Sequence, residues 1–165
     1  MDVYDLTVPQ LTRMLRNLDR WLGLAAKHDK AASLLTARLA PDQYTFTRQI
    51  QVATDNAKMM TGRLADKPWP SHPDTETTYE QLHARIASVI EYLEGFAQAD
   101  FIDVADRKIK LPWMQGNQYM NAIDYLTQFA LPNFYFHVVT AYSILRHEGL
   151  AMGKMEYLGQ IALRS

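Results

Sequence analysis

Apolar residues that return every three or four positions, in four separate segments, constrain this chain to fold as packed helices. Leu11, Leu15, Leu18, Leu22 and Ala25 carry the first such pattern, and Phe46, Ile50, Ala53, Ala57, Met60 and Leu64 carry the second. At about 100° per residue this spacing gathers one side of a helix into an apolar stripe that must be buried. The pattern predicts a first helix from about Val8 to Lys27, with Pro9 in the first turn, where its missing N–H costs nothing. A second helix runs from Asp42 or Tyr44 to Leu64, and the prolines of the 67–73 segment (KPWPSHP) stop it. Tyr79, Leu82, Ile86, Val89, Ile90 and Leu93 mark a third helix ended by Gly95. Its start is either Thr77-Thr78-Tyr79-Glu80, with capping-box spacing, or a cap at Asp74 or Thr75.

From Asp100 to Tyr119 no helical period is visible, and Ile109 and Leu111 alternate with charged neighbours, as in a long connection with short strands. Helical character returns at Tyr119–Phe129. Pro132 then either kinks one long fourth helix or separates two shorter ones before Gly149 closes the run. The expected fold is all-α: a four-helix bundle with a long crossover connection before the last helix, as one domain over residues 1–165.

Charge and cysteine content exclude several classes of function. Seventeen Lys and Arg against eighteen Asp and Glu leave a formal charge of −1, too balanced overall for an electrostatic nucleic-acid or membrane footprint. With no cysteine, disulfides, thiolate nucleophiles and thiolate-held metals are excluded, so any metal must take His, carboxylate or amide ligands. The start Met1-Asp2-Val3-Tyr4-Asp5 lacks a signal-peptide pattern, and no apolar run approaches the roughly 18 residues of a membrane span; the expected location is cytoplasmic.

The segment from Leu131 to Gly149 holds the main candidate site. Asn133, His137, Thr140 and His147 fall within about a quarter of the helix circumference, apart from the solvent arc near Ser143 and Arg146. A second polar stripe on an apolar helix needs its own reason. Either it lines a site between helices, or its groups satisfy one another in the core, since an unpaired buried polar atom costs about 1–3 kcal/mol.

On the second helix, Gln49 and Asn56 lie two turns apart beside the apolar arc, where they can point at His137. Gln51, Asp55 and Lys58 line the other side, with the spacing of a solvated surface ion pair. His72, in the proline-rich loop, and His28 read as exposed, and His83 sits at the edge of the third helix's apolar face. No HExxH, P-loop, GxSxG or GxGxxG occurs. The aromatics Tyr119, Tyr125, Phe129, Phe134, Tyr135, Phe136 and Tyr142 fit core packing or a pocket lining alike.

Several blocks together carry a resemblance: Leu39-Ala40-Pro41-Asp42, the 48–58 segment RQIQVATDNAK, Asp74-Thr75-Glu76-Thr77-Thr78, the 131–149 segment beginning LPNFYFH, and Gly153-Lys154. The chain resembles a bacterial domain-of-unknown-function branch of the DinB/YfiT-like superfamily, a group associated with metalloenzyme chemistry. The resemblance implies a DinB-like bundle, often dimeric. In metal-binding relatives one second-helix His joins two on the fourth helix, in an HxxxH arrangement followed by Arg-Gly-Gln. Here His137 matches the second His of that pair, Asn133 stands at the first, and the second-helix ligand falls near Ala53. The implied cofactor is a divalent metal, with the three-imidazole site incomplete and Val138-Val139-Thr140 in place of Arg-Gly-Gln.

The first functional expectation is binding of a small polar ligand around His137, with Asn133, Gln49, Asn56, Asp55 and Thr140 as further contacts and a homodimer as the working unit. The second, from the resemblance, is a metal- or thiol-dependent transferase or hydrolase with His137 as metal ligand or base and Asp55 close by. The third is a structural, dimer-forming module in which the same residues only pack.

Overall fold

A computed structural model describes residues 2–163 and is mostly helical. Four long helices span Val8–Ala25, Phe46–Ala65, Tyr79–Glu94 and Leu131–His147. The predicted starts and stops hold to within a few residues. Thr45 caps the second helix by accepting from the Arg48 N–H at 3.3 Å, so this helix begins later than the sequence pattern suggested. Thr78 caps the third, with Gln81 returning the bond to the Thr78 N–H at 3.1 Å, which places the capping box one residue later than the Thr77 frame. Gly149 ends the last helix with φ +102, a conformation that favours glycine.

Packing follows the apolar stripes. The second helix packs most extensively on the last and also on the third, the third on the first, and the last returns to the first. Leu11, Leu15, Leu18 and Leu22 meet Ile50, Ala53, Ala57, Ile86, Val89 and Val138 in one fully buried core. Burial of this many apolar side chains, each contributing about 1.5–3 kcal/mol, is the main stabilising term.

The segment between the third and last long helices holds two 3-10 turns, Gln98–Phe101 and Val104–Asp106, and two short strands, Lys108–Ile109 paired antiparallel with Met120–Asn121. Ile109 points inward while Lys108 and Lys110 point out, the alternation expected of a strand. Pro132 does not separate two helices. A π-helical stretch, Tyr125–Ala130, runs directly into the last helix and places the proline in its first turn. The wider π turn gives room for a ring that cannot donate to the preceding turn. A short helix, Lys154–Leu158, which the periodicity did not reveal, is fastened to the first long helix. Trp21 Nε1 donates to the Glu156 carbonyl at 3.1 Å and Asn17 Nδ2 to the Tyr157 carbonyl at 2.9 Å.

Candidate functional site

The polar stripe of the last helix faces the second helix. His137, only 6 % exposed, places its Nδ1 2.7 Å from Gln49 Oε1, and Asn133 donates to Asn56 Oδ1 at 2.9 Å. The proton on the imidazole follows from the neighbouring amide. Gln49 Nε2 donates to the Tyr44 carbonyl at 3.3 Å, which orients Gln49 so that its oxygen meets the ring. An oxygen accepts only, so His137 must donate from Nδ1, and in the neutral ring the lone pair lies on Nε2. Among the described residues no hydrogen bond reaches that nitrogen.

The ring stacks against Tyr44 at 6.2 Å and meets the edge of Phe136 at 5.1 Å; these two aromatics are 52 % and 56 % exposed. Burial, and then the Arg48 charge, pushes the His137 pKa below its ordinary value. Thr140 is buried but spends its hydroxyl proton on the Phe136 carbonyl, 2.7 Å away. His147, at the end of the stripe, is exposed.

Asp55 does not join this group. It lies about 120° around the second helix from Gln49, and the expectation of a solvated Asp55–Lys58 pair is overturned as well. Lys58 is 2 % exposed, and its ammonium sits 2.7 Å from both Asp55 Oδ1 and His72 Nδ1. Arg85 of the third helix, also 2 % exposed, reaches Asp55 at 2.7 Å, Asp74 at 2.7 Å and Glu76 at 2.9 Å. Its remaining donors go to Thr54 Oγ1 at 2.7 Å and the Gln51 carbonyl at 3.1 Å. Arg48 pairs with Asp74 at 2.5 Å, and Gln51 donates to Glu76 at 2.9 Å.

Three cations, Arg48, Lys58 and Arg85, thus meet three carboxylates, Asp55, Asp74 and Glu76, and the loop after the second helix is pinned across two helices. His72, expected to be exposed, is partly buried in this network. Its Nδ1 must accept from the Lys58 ammonium, which places its own proton on Nε2.

The network makes stability sensitive to acid. Burial and then the Lys58 charge lower the His72 pKa. Burial raises that of Asp74, but the hydrogen bond from Arg48 and the charge of Arg85 outweigh it, so the net shift is down. Glu76 behaves likewise, with the Arg85 hydrogen bond overcoming burial. A group whose folded pKa is depressed binds more protons when unfolded, so its stabilisation is complete at high pH and lost as pH falls. Urea midpoints should therefore decline once pH drops below about 6.5, through His72 and His137, and decline more steeply below about 4.5, through Asp74 and Glu76. A midpoint independent of pH between those values would contradict the placement of both histidines.

Three cavities, of about 720, 340 and 570 Å³, lie elsewhere: one between the first helix and the segment after Leu158, one beside Trp21, and one at the end of the second helix. Among the described residues no helix is long and apolar enough to cross a membrane.

Comparison with known proteins identifies the relationship. The domain family described as Domain of unknown function (DUF1993) matches residues 3–158. The chain belongs to this family. A solved structure of a DinB family member protein from Shewanella denitrificans, determined at 1.83 Å, is 44 % identical. It superposes with a TM-score of 0.94, covering 99 % of this chain and 95 % of that one. The resemblance carried by the sequence blocks, to a DinB-like domain-of-unknown-function branch, is borne out. No curated protein matches significantly.

The residues of this DUF1993 chain do not fit the three-imidazole metal site that the DinB-like resemblance implies. Ala53 is a fully buried methyl in the core, the Asn133 amide is engaged by Asn56, and His137 stands as a single imidazole. Among the described residues no group of three or more His, Asp or Glu side chains is placed to hold a metal ion.

Proposed function

We propose that this protein binds a small polar ligand at the seam between its second and last long helices. His137 Nε2 acts as acceptor, and Asn133, Asn56 and Gln49 orient what binds. The Gln49 amide carries the reading. It fixes the imidazole proton on Nδ1 and leaves a lone pair with no partner among the described residues, flanked by two half-exposed aromatic rings. A ligand offering an N–H or O–H group and a flat apolar portion matches that arrangement. Asn56 Nδ2, buried without a hydrogen-bond partner, adds a donor for an acceptor group of the same ligand. The wider proposal is a single cytoplasmic domain over residues 1–165, a four-helix bundle with the 98–121 segment as crossover, acting on small molecules as a homodimer without nucleic acid or membrane.

The experiment is a thermal-shift screen of small polar compounds on the wild type, His137→Ala and His137→Gln. Compounds that raise Tm in the wild type should lose their effect in both variants. The alanine variant should also lose about 1–3 kcal/mol of stability, because Gln49 Oε1 is left unpaired. Identical shift profiles in all three proteins would remove the basis for this site.

A structural, dimer-forming role is the second reading, supported by the exposure of Tyr44, Phe136 and Val139. Under it, Phe136→Glu changes the mass in light scattering while His137→Gln is silent. The metal- or thiol-dependent transferase or hydrolase reading draws no support from the donor set described above.

A further inference from the structure

We propose that the cleft between the end of the second long helix and the crossover hairpin binds a small, multiply charged phosphate compound. The cleft, of about 570 Å³, is lined by Arg63, Lys67, Arg107, Lys108 and Lys110, with Asp66 as its acidic member. Five of the seventeen basic residues of a chain with net charge −1 therefore converge on one concave surface. Balanced overall charge conceals this local excess.

Arg16, Lys30, Arg48, Lys58 and Arg85 have carboxylate partners. Among the described residues, the cations outside the cleft that form no ion pair, such as Arg13, Lys27, Arg38 and Lys154, are scattered along the chain, and the cavities beside the first helix gather no more than Arg13, Arg16 and Arg20 in one place. In the cleft only Lys67 has a carboxylate partner, Asp100 at 2.5 Å; among the described residues the other four form no ion pair. Their contacts hold position without neutralising charge. Arg107 donates to the Leu64 carbonyl at 2.7 Å and Lys110 to the Gly116 carbonyl at 2.8 Å. Arg63 lies over the Trp69 ring at 5.1 Å and Lys108 over the Tyr119 ring at 4.5 Å.

Arg63 and Arg107 also answer the negative end of the second helix, but that leaves Lys108 and Lys110 unexplained. These two flank the inward-facing Ile109 and so emerge on the same side of the hairpin, a juxtaposition of like charges that an anion would relieve. A concave surface with a net positive excess concentrates its field on an anion, and Arg and Lys donors suit phosphate oxygens. Trp69, 37 % exposed at the rim, adds an aromatic surface for a ring-bearing phosphate ester.

The test is calorimetric titration at low ionic strength of the wild type, Lys108→Glu, Lys108→Glu/Lys110→Glu and Trp69→Leu. The titrants are pyrophosphate, orthophosphate, a nucleoside diphosphate and a short single-stranded RNA. Saturable pyrophosphate binding is expected, tighter than orthophosphate and weakened by added salt. It should be about tenfold weaker in Lys108→Glu and weaker still in the double variant, with melting temperatures unchanged because both lysines are exposed. A nucleoside diphosphate that binds more tightly than pyrophosphate, with the difference lost in Trp69→Leu, identifies a ring-bearing ester; equal affinities identify the bare phosphate chain. Absence of saturable binding overturns the proposal, as does affinity indifferent to charge reversal. RNA that binds more tightly than pyrophosphate and displaces it overturns it in favour of a nucleic-acid face.

Discussion

Replacing Arg85 by methionine should cost about 3–5 kcal/mol, the largest loss expected from any single polar substitution in this protein. The guanidinium is almost wholly buried and meets Asp55, Asp74, Glu76, Thr54 Oγ1 and the Gln51 carbonyl. Methionine fills much of the same volume, so the loss comes from stranded acceptors rather than a void. Three carboxylates would be left with two cations, and an unpaired charge in a poorly solvated place is the expensive case. Against a total stability of about 5–15 kcal/mol, the variant should be marginal at 37 °C. Arg85→Lys should recover little, because one ammonium cannot reproduce a planar fork that hydrogen-bonds four acceptors and lies against the Asp74 carboxylate as well. Urea denaturation of the three proteins decides it. A loss below about 1 kcal/mol for Arg85→Met would mean that the network is solvated and dispensable.

Gly62→Ala should destabilise by about 2 kcal/mol, although alanine in mid-helix ordinarily gains about 1 kcal/mol over glycine. A Cβ at this position would lie 2.6 Å from Trp69 Cε3, 2.8 Å from the Lys67 carbonyl and 2.9 Å from the Tyr92 hydroxyl. One of the three is backbone and cannot turn aside. The close approach lets the chain reverse directly over the second helix through Asp66, a non-glycine residue at φ 55. Denaturant melts of Gly62→Ala check the sign, and stabilisation would show that the loop yields at no cost. Gly62→Ala/Trp69→Leu should regain part of the loss, since the flexible leucine can move away from the added methyl.

Much of the helical layout was legible because burial imposes a period. Leu11 to Ala25 and Phe46 to Leu64 had to be helices with one buried side, and the stops at Pro68 and Gly95 follow from backbone chemistry. The facing of His137 and Gln49 was also legible, since both occupy stripes that have no place in solvent. The network around Arg85 left signs that went unread. Arg85 sits about 40° from Val89 at the edge of an apolar arc. Asp74 and Glu76 stand two residues apart just before the third helix, but Asp74 lies in a bend at φ 57, and that bend, which no local pattern marks, helps bring both carboxylates to Arg85. Lys58 misled because its three-residue spacing from Asp55 is the spacing of countless surface pairs. What buries it is the returning loop, about which the helix pattern says nothing.

Chain chemistry alone therefore settles which segments coil and which of their faces are apolar, because those follow from neighbours a few residues apart. Whether a charged side chain ends in water or beneath a loop depends on groups well separated in sequence, such as His72 over Lys58, Asp55 against Arg85, and Lys108 lining one cleft with Arg63. Coulomb and solvation energies depend on distance in space, and folding brings those groups together.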